Sequence, residues 1–272
     1  MVETKRHIFA EQQLGKETLF RRSEFTAIVL VADFGDDLAK AECQLSLNRV
    51  FQENHVIAPE LITVNDVVPF NKIHAAFNLC CLTNTAAPKT VFVGVIDPGV
   101  GTDRKGIIVE TAKEHYFIGP DNGIFYPAAN SEGITGLWQI DNSKFSNPSV
   151  TFHGRDIFSK AAAKIASGLS PDSFGTNATD LVSLEFQEGQ ILHIDRYGNL
   201  KINGTLPVGA TKIFLSNNLS IPLVRTFEDV DIGQPLAYLG SSGLLEIAIR
   251  EGNASNVLGL KIGECLSIQP SM

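Results

Sequence analysis

The chain has 272 residues, 44% of them hydrophobic and 19% charged, with a formal net charge of −8. That length buries one large core or two modest ones, and the composition excludes a mainly disordered chain. The acidic balance excludes a nucleic-acid surface as the principal role.

Met1–His7 carries charge where a signal peptide needs an apolar core, and no run of about 18 apolar residues follows anywhere, so a cytoplasmic chain with no membrane span is expected. Residues 1–24 mix both charge signs without an apolar face and read as a loosely attached N-terminal extension. The first strong strand is Phe25–Ala32, ending in Asp33-Phe34-Gly35, and Leu38–Asn54 then has helical periodicity. The alternation continues with a strand at Glu60–Val64, a helix at Asn71–Leu82 and a strand at Thr90–Ile96, followed by strands at Gly106–Ala112 and Tyr116–Ile118. Such alternation predicts helices packed on a mainly parallel sheet. Asp156–Leu169 reads as one more helix, ended by Gly168 and Pro171.

From about Leu184 the texture changes to short β-rich runs: Gln190–Asp195, Leu200–Ile202, Thr211–Leu215, Pro235–Leu239 and Leu244–Ile249. These predict a small all-β, barrel-like C-terminal domain at 181–272, after an α/β N-terminal domain at 25–180. The polar stretch Pro171–Val182 holds the boundary. Cys43, Cys80, Cys81 and Cys265 lack metal-ligand spacing and read as buried free thiols of a reducing compartment.

Four clusters in the first domain carry candidate chemistry. Asp33 follows a strand, where a carboxylate accepts hydrogen bonds from a ribose diol or caps the next helix. Asp97 ends an apolar strand, with Arg104 one short loop away; the intervening Gly99-Val100-Gly101 lacks the third glycine of a dinucleotide fingerprint and the Lys-Ser/Thr of a P-loop. Gly119-Pro120-Asp121-Asn122-Gly123 is a strong turn signal. His153 precedes a glycine and a helix start, so its ring projects toward a crevice with a proton state tunable near neutrality. Asp156 and Arg155 beside it read equally well as a helix cap and its surface partner.

In the second domain Asp195-Arg196-Tyr197-Gly198-Asn199 offers a carboxylate, an aromatic face and an amide, and Ser241 and Ser242 add hydroxyls. Ser242 lacks the Gly-x-Ser-x-Gly setting of a hydrolase nucleophile. No His/Cys/Glu spacing matches a metal frame, so no metal is expected.

Taken in order, Ala32-Asp-Phe-Gly, Val95-Ile-Asp-Pro-Gly-Val-Gly-Thr, Gly119-Pro-Asp-Asn-Gly-Ile-Phe, Phe152-His-Gly-Arg-Asp-Ile-Phe, Ile194-Asp-Arg-Tyr-Gly-Asn-Leu and Ser241-Ser-Gly-Leu-Leu-Glu-Ile-Ala resemble the S-adenosylmethionine (SAM) hydroxide adenosyltransferases, relatives of the fluorinating and chlorinating enzymes. The resemblance implies that Asp97, Arg104 and His153 hold the attacking water. It implies that Asp33 binds the ribose, that Tyr197 flanks the nucleoside, and that Asp195, Asn199, Ser241 and Ser242 contact the methionine end. It also implies a homotrimer whose sites lie between one subunit's N-domain and the next subunit's C-domain. Halogenating relatives have a serine where this chain has Gly154 and an aromatic where it has Asp97, which implies no halide site here. Val64-Asn65-Asp66 departs from the Thr-His pair common in the family before the acidic position.

The implied reaction is attack of water or hydroxide on C5′ of SAM, giving adenosine and methionine without a cofactor. Two other readings stay open on the sequence: adenosyl transfer to another small nucleophile, and a non-catalytic SAM or adenosine binder. Binding alone needs Asp33, Tyr197 and Asn199, but not Asp97, Arg104 and His153 together.

Overall fold

The computed structural model describes residues 20–206, 209–215 and 219–271. Its elements, in chain order, are β1 (Arg21–Arg22), β2 (Ala27–Ala32), α1 (Asp37–Glu53), β3 (Val56–Ile57), β4 (Glu60–Val64), α2 (Lys72–Thr85), β5 (Thr90–Val95), β6 (Gly106–Thr111), β7 (Tyr116–Pro120), α3 (Tyr126–Glu132), β8 (Ile134–Ile140), a π-helical turn (Gly154–Phe158) leading into α4 (Ser159–Ala166), and β9 (Gly175–Asn177). The C-terminal region contributes β10 (Ile191–Ile194), β11 (Leu200–Ile202), β12 (Lys212–Leu215), β13 (Ser220–Pro222), β14 (Pro235–Leu239), β15 (Leu245–Ile249), α5 (Ala254–Leu258) and β16 (Ile268–Ser271).

The N-terminal region is a seven-stranded sheet in the order β4-β2-β5-β7-β6-β8-β9. The wholly buried runs of β2 and β5 are the second and third strands, inside the sheet, as continuous apolar strands covered on both faces must be. Leu47, Phe51, Phe158 and Ala162 from α1, the π-turn and α4 fill one face, and Ala75, Leu79, Phe125 and Ala128 from α2 and the α3 segment fill the other. The sheet is mixed, which corrects the expected mainly parallel one: three pairings are parallel and three antiparallel. The cause is the connection between β6 and β7, residues 112–115, which is far too short for the crossover that a parallel pair requires.

The C-terminal region is all-β but not a closed barrel among the described residues. It has an antiparallel four-stranded sheet, β10-β11-β15-β14, and an antiparallel three-stranded sheet, β13-β12-β16. The two share one core, where Ile191, Ile202 and Ile247 meet Ile213 and Ile221. Isolated bridges at Leu223–Ala237 and Gln190–Cys265 join the two sheets.

Of the expected extension, residues 1–19 lie outside the described residues. The remainder is tied down: β1 pairs with β3, Arg21 donates to the Ser167 carbonyl, and Ser23 Oγ donates to the Ala166 carbonyl at 2.6 Å. The thiols are free but not all buried. Cys43 is buried, Cys80 and Cys81 are half-buried, and Cys265 is exposed. Burial pushes the Cys43 thiol up to about 11 and Cys80 up to about 12, which leaves both inert near neutrality. Among the described residues no helix is long and apolar enough to cross a membrane.

Candidate active site

β2 and β5 are parallel neighbours with Ala32 opposite Val95, so Asp33 and Asp97 leave the same edge of the sheet, at the carboxyl ends where an α/β sheet opens its ligand crevice. Asp33 is not a helix cap. Asp36 fills that role for α1, taking the Ala39 N–H at 2.8 Å, while Asp33 Oδ2 accepts the Phe70 N–H at 2.7 Å and holds the loop before α2.

Asp97, Arg104 and His153 form one hydrogen-bonded cluster. Arg104 Nε donates to Asp97 Oδ1 at 3.0 Å, its Nη2 donates to Asp97 Oδ2, and Nη2 lies 3.0 Å from His153 Nδ1. The pair is nearly dry, with side chains 7% (Asp97) and 9% (Arg104) exposed. Arg104 also lies over the Phe158 ring, 5.3 Å from its centroid. Burial pushes the Asp97 carboxyl above its usual range, with Arg104 and His153 pulling the other way. Burial and the neighbouring Arg104 cation push His153 below the usual imidazole value, so the ring is neutral at physiological pH.

His153 stands at the mouth of the π-turn, in which the Ser159 N–H reaches back five residues to the Gly154 carbonyl. Such turns recur at functional sites because they reset the direction of one side chain without ending a helix. The approach is tight. A Cβ at Gly154 would lie 2.8 Å from Val95 Cγ1 and 3.4 Å from Phe34 Cζ. The rings of Phe34 and Phe152 meet edge to face at 5.7 Å, joining the Asp33 and His153 segments. Arg155 and Asp156 belong to the scaffold: Arg155 forks onto Asp156 and reaches Glu42 at 2.9 Å, while Asp156 Oδ2 accepts the Ser149 N–H at 2.9 Å.

The residues of the C-terminal region fall elsewhere. Asp195 accepts the Tyr197 and Asn199 N–H groups and the Asn199 side-chain amide at 2.9, 3.0 and 3.0 Å, which shapes the turn. Asp195, Tyr197 and Asn199 then line a cavity of ≈ 550 Å³ with Phe227 and Tyr238. Ser241 and Ser242 line a different cleft of ≈ 660 Å³, between α2 and the β region. Asp97, Arg104 and His153 line neither, so one chain does not bring the nine predicted residues into a single pocket.

A pair of histidines escaped the sequence reading. His74 on α2 and His193 on β10 meet across the two regions, Nε2 to Nδ1 at 2.7 Å, and His74 Nδ1 accepts the Val68 N–H at 3.1 Å. Burial lowers both, His74 to about 4. Nothing local marks partners 119 residues apart. Among the described residues no group of three or more His, Cys, Asp or Glu side chains is placed to hold a metal ion.

The chain matches the SAM hydroxide adenosyltransferase N-terminal domain over residues 28–175 and the corresponding C-terminal domain over residues 189–267. It is 37% identical to a protein of Methanocaldococcus jannaschii over 207 residues, 72% of this chain and 77% of that one, and 35% identical to one of Thermus thermophilus over 196 residues, 64% and 73%; both are named (R)-S-adenosyl-L-methionine hydrolase. It is 22% identical to a fluorinase of Actinopolyspora mzabensis, across 90% of this chain and 97% of that one. In three dimensions it is similar to an uncharacterized conserved protein of Thermotoga maritima, with a TM-score of 0.79 and 30% identity, over 89% of this chain and all of that one.

Proposed function

The chain belongs to the SAM hydroxide adenosyltransferase family, and from that membership we infer that it hydrolyses SAM to adenosine and methionine. Water attacks C5′, the C5′–S bond breaks, and its electron pair returns to the sulfonium sulfur, which leaves as the neutral thioether of methionine. The water's proton goes to a base. The observation that carries this reading is the buried, hydrogen-bonded cluster of Asp97, Arg104 and His153 at the carboxyl edge of the sheet.

Sulfonium is already a good leaving group, so the protein's task is to place a weak nucleophile in line with the C–S bond and to accept its proton. Placement supplies as much as ~7–11 kcal/mol and a positioned base about 10²–10⁴-fold. Arg104 offsets part of the burial that raises Asp97 and so favours its ionised form, and Asp97 accepts the proton. Asp33 binds the ribose diol, Tyr197 flanks the nucleoside, and Asp195, Asn199, Ser241 and Ser242 hold the methionine end.

The assembly we propose is a homotrimer in which each site joins the sheet edge of one subunit to the C-terminal region of the next. Its support is the separation of the site residues within one chain, together with Tyr197, an aromatic ring left 62% exposed. The domain boundary is proposed at 180/181, between the end of β9 at Asn177 and the start of β10 at Ile191. Free thiols fit a cytoplasmic setting, and the chemistry calls for no cofactor. The decisive experiment is incubation with SAM and chromatography for adenosine and methionine in equal amounts, with and without EDTA. Loss of turnover in EDTA that a divalent metal restores would refute the cofactor-free reading, and an unchanged substrate would refute the hydrolase.

A further inference from the structure

The loop that carries Asp97 and Arg104 is held at both ends by one turn, Gly119–Gly123. At the near end, Ile96 lies one residue beyond Val95, the last residue of β5 paired in the ladder, yet it is fully buried. Its carbonyl has left the sheet and still needs a donor. Asn122 supplies one, Nδ2 to the Ile96 oxygen at 2.8 Å. The Asn122 Oδ1 accepts the Ile124 N–H at 3.4 Å, so both ends of the amide are used. At the far end, the Asp121 N–H donates to the carbonyl of Lys105, the residue after Arg104, at 2.9 Å.

The turn itself cannot drift. A Cβ at Gly119 would lie 2.2 Å from the Gly94 carbonyl oxygen, so β7 is pressed against β5, and the Asp121 carboxylate accepts the Val182 N–H at 2.9 Å. A peptide unit is planar, so a fixed Ile96 carbonyl fixes the direction in which Asp97 leaves the strand.

We propose that Asn122 is a positioning residue for the Asp97–Arg104 pair: it holds the peptide that aims Asp97 and, with the Asp121 N–H, sets the span across which Arg104 reaches back. The proposal rests on the reading of Asp97 as a residue that holds and deprotonates the water. Asn122 touches neither substrate nor water in this scheme. A misplacement near 1 Å at a reacting group costs about 10²-fold, which is the scale to be looked for.

The test compares Asn122→Ala and Asn122→Asp with Asp97→Asn, by SAM turnover across pH and by thermal melting. Asn122→Asp keeps the side chain's size and its acceptor for Ile124 but loses the donor to Ile96, so it remains informative if the alanine variant does not fold. The expected result is a fall in kcat of about 10–10²-fold with KM within about threefold. The acid limb of the kcat profile moves to higher pH, because a loosened Asp97 loses the Arg104 contact that lowers its pKa. Placed on top of Asp97→Asn, Asn122→Ala removes less than about twofold more, since both act through one group. Lower melting with unchanged kcat and an unmoved acid limb overturns the proposal and leaves Asn122 as turn structure only. Near-normal turnover in Asp97→Asn overturns the reading of Asp97 itself, and the proposal with it.

Discussion

Arg104 Nη2 sits 3.0 Å from His153 Nδ1, and this contact fixes which nitrogen of the imidazole carries the proton. A guanidinium has only donors, so Nδ1 must accept. Burial and the same arginine keep the ring neutral, which leaves the proton on Nε2. A neutral His153 in this tautomer has no free lone pair, so in the reaction proposed above it would donate from Nε2 to the oxygen of the attacking water, with Asp97 as the proton acceptor.

Asp97→Asn and His153→Ala should each lower kcat by about 10²–10⁴-fold while SAM affinity stays within a few-fold. The double variant should be little worse than the poorer single one, since residues that hold one water act as a unit. His153→Gln, which keeps a donor near the Nε2 position, should retain more activity than His153→Ala. Turnover in oxygen-18 water should label the 5′-hydroxyl of adenosine; unlabelled adenosine would exclude water as the nucleophile.

The pH dependence of kcat follows from the directions of two shifts. Asp97 is raised by burial, so it takes up its proton above the usual carboxylate range as pH falls, and activity is lost there. His153 is lowered, so it remains neutral below 6.5 and produces no loss at that pH. An acid limb above the ordinary carboxylate range is expected, and a limb within that range would contradict the assignment of Asp97.

Asp33→Ala should raise KM far more than it lowers kcat, because a ribose contact is made in ground state and transition state alike. Asp33 also holds the Phe70 N–H. Phe70→Gly with Asp33 left in place controls for loosening of that loop: if its KM stays near the wild-type value, the ribose contact accounts for the Asp33→Ala effect. A large drop in kcat at constant KM would remove Asp33 from substrate binding.

Gly154 has no room for a side chain, with Val95 Cγ1 2.8 Å from where a Cβ would sit. Gly154→Ala and Gly154→Ser should each destabilise by about 1–3 kcal/mol, the range for overpacked sites. Val95→Ala should restore part of the melting temperature. Even with a hydroxyl in place, Gly154→Ser in high chloride or fluoride should still give adenosine. Efficient formation of a 5′-halo product would show that this one position controls halide entry.

The His74–His193 pair should make stability fall with acid. Both histidines are lowered in the folded protein, His74 to about 4, while in the unfolded chain they titrate near 6.5. Between those values the unfolded state binds more protons, so unfolding free energy drops as pH falls. Asp66, Asp195 and Glu246 face the pair and favour its charging, and Lys201 opposes it. Chemical denaturation at pH 7 and pH 5 should show a smaller difference for His74→Gln than for the wild type. An equal pH sensitivity in both would assign the effect to other groups.

β2 and β5 were legible because strands buried on both faces are written as unbroken apolar runs, and their ends located Asp33 and Asp97. His153 was legible from the Gly-Arg-Asp that follows it. The antiparallel turn of the sheet was not, because β6 and β7 carry the same apolar texture in either direction and only the four-residue link 112–115 decides it. β8 was missed for a related reason: its burial is irregular along Ile134–Ile140, so it shows neither an alternating nor a continuous pattern. The different cavities of Asn199 and Ser241, like the meeting of His74 with His193, depend on how distant segments dock, and no local spacing encodes that.

The π-turn at Gly154–Phe158 holds one residue more than an α-helical turn would need. Removing one residue there would let α4 run on as a regular helix, and because each α-helical residue advances about 100° around the axis, the segment before it would swing by that angle. His153 would leave Arg104 while Ala161, Ala162 and Ile165 stayed in the core. The same swing would carry the buried Ile157 and Phe158 out of their packing, so the register of one short helix ties His153 to the core, and a single-codon deletion would cost the cluster and the stability of the fold together.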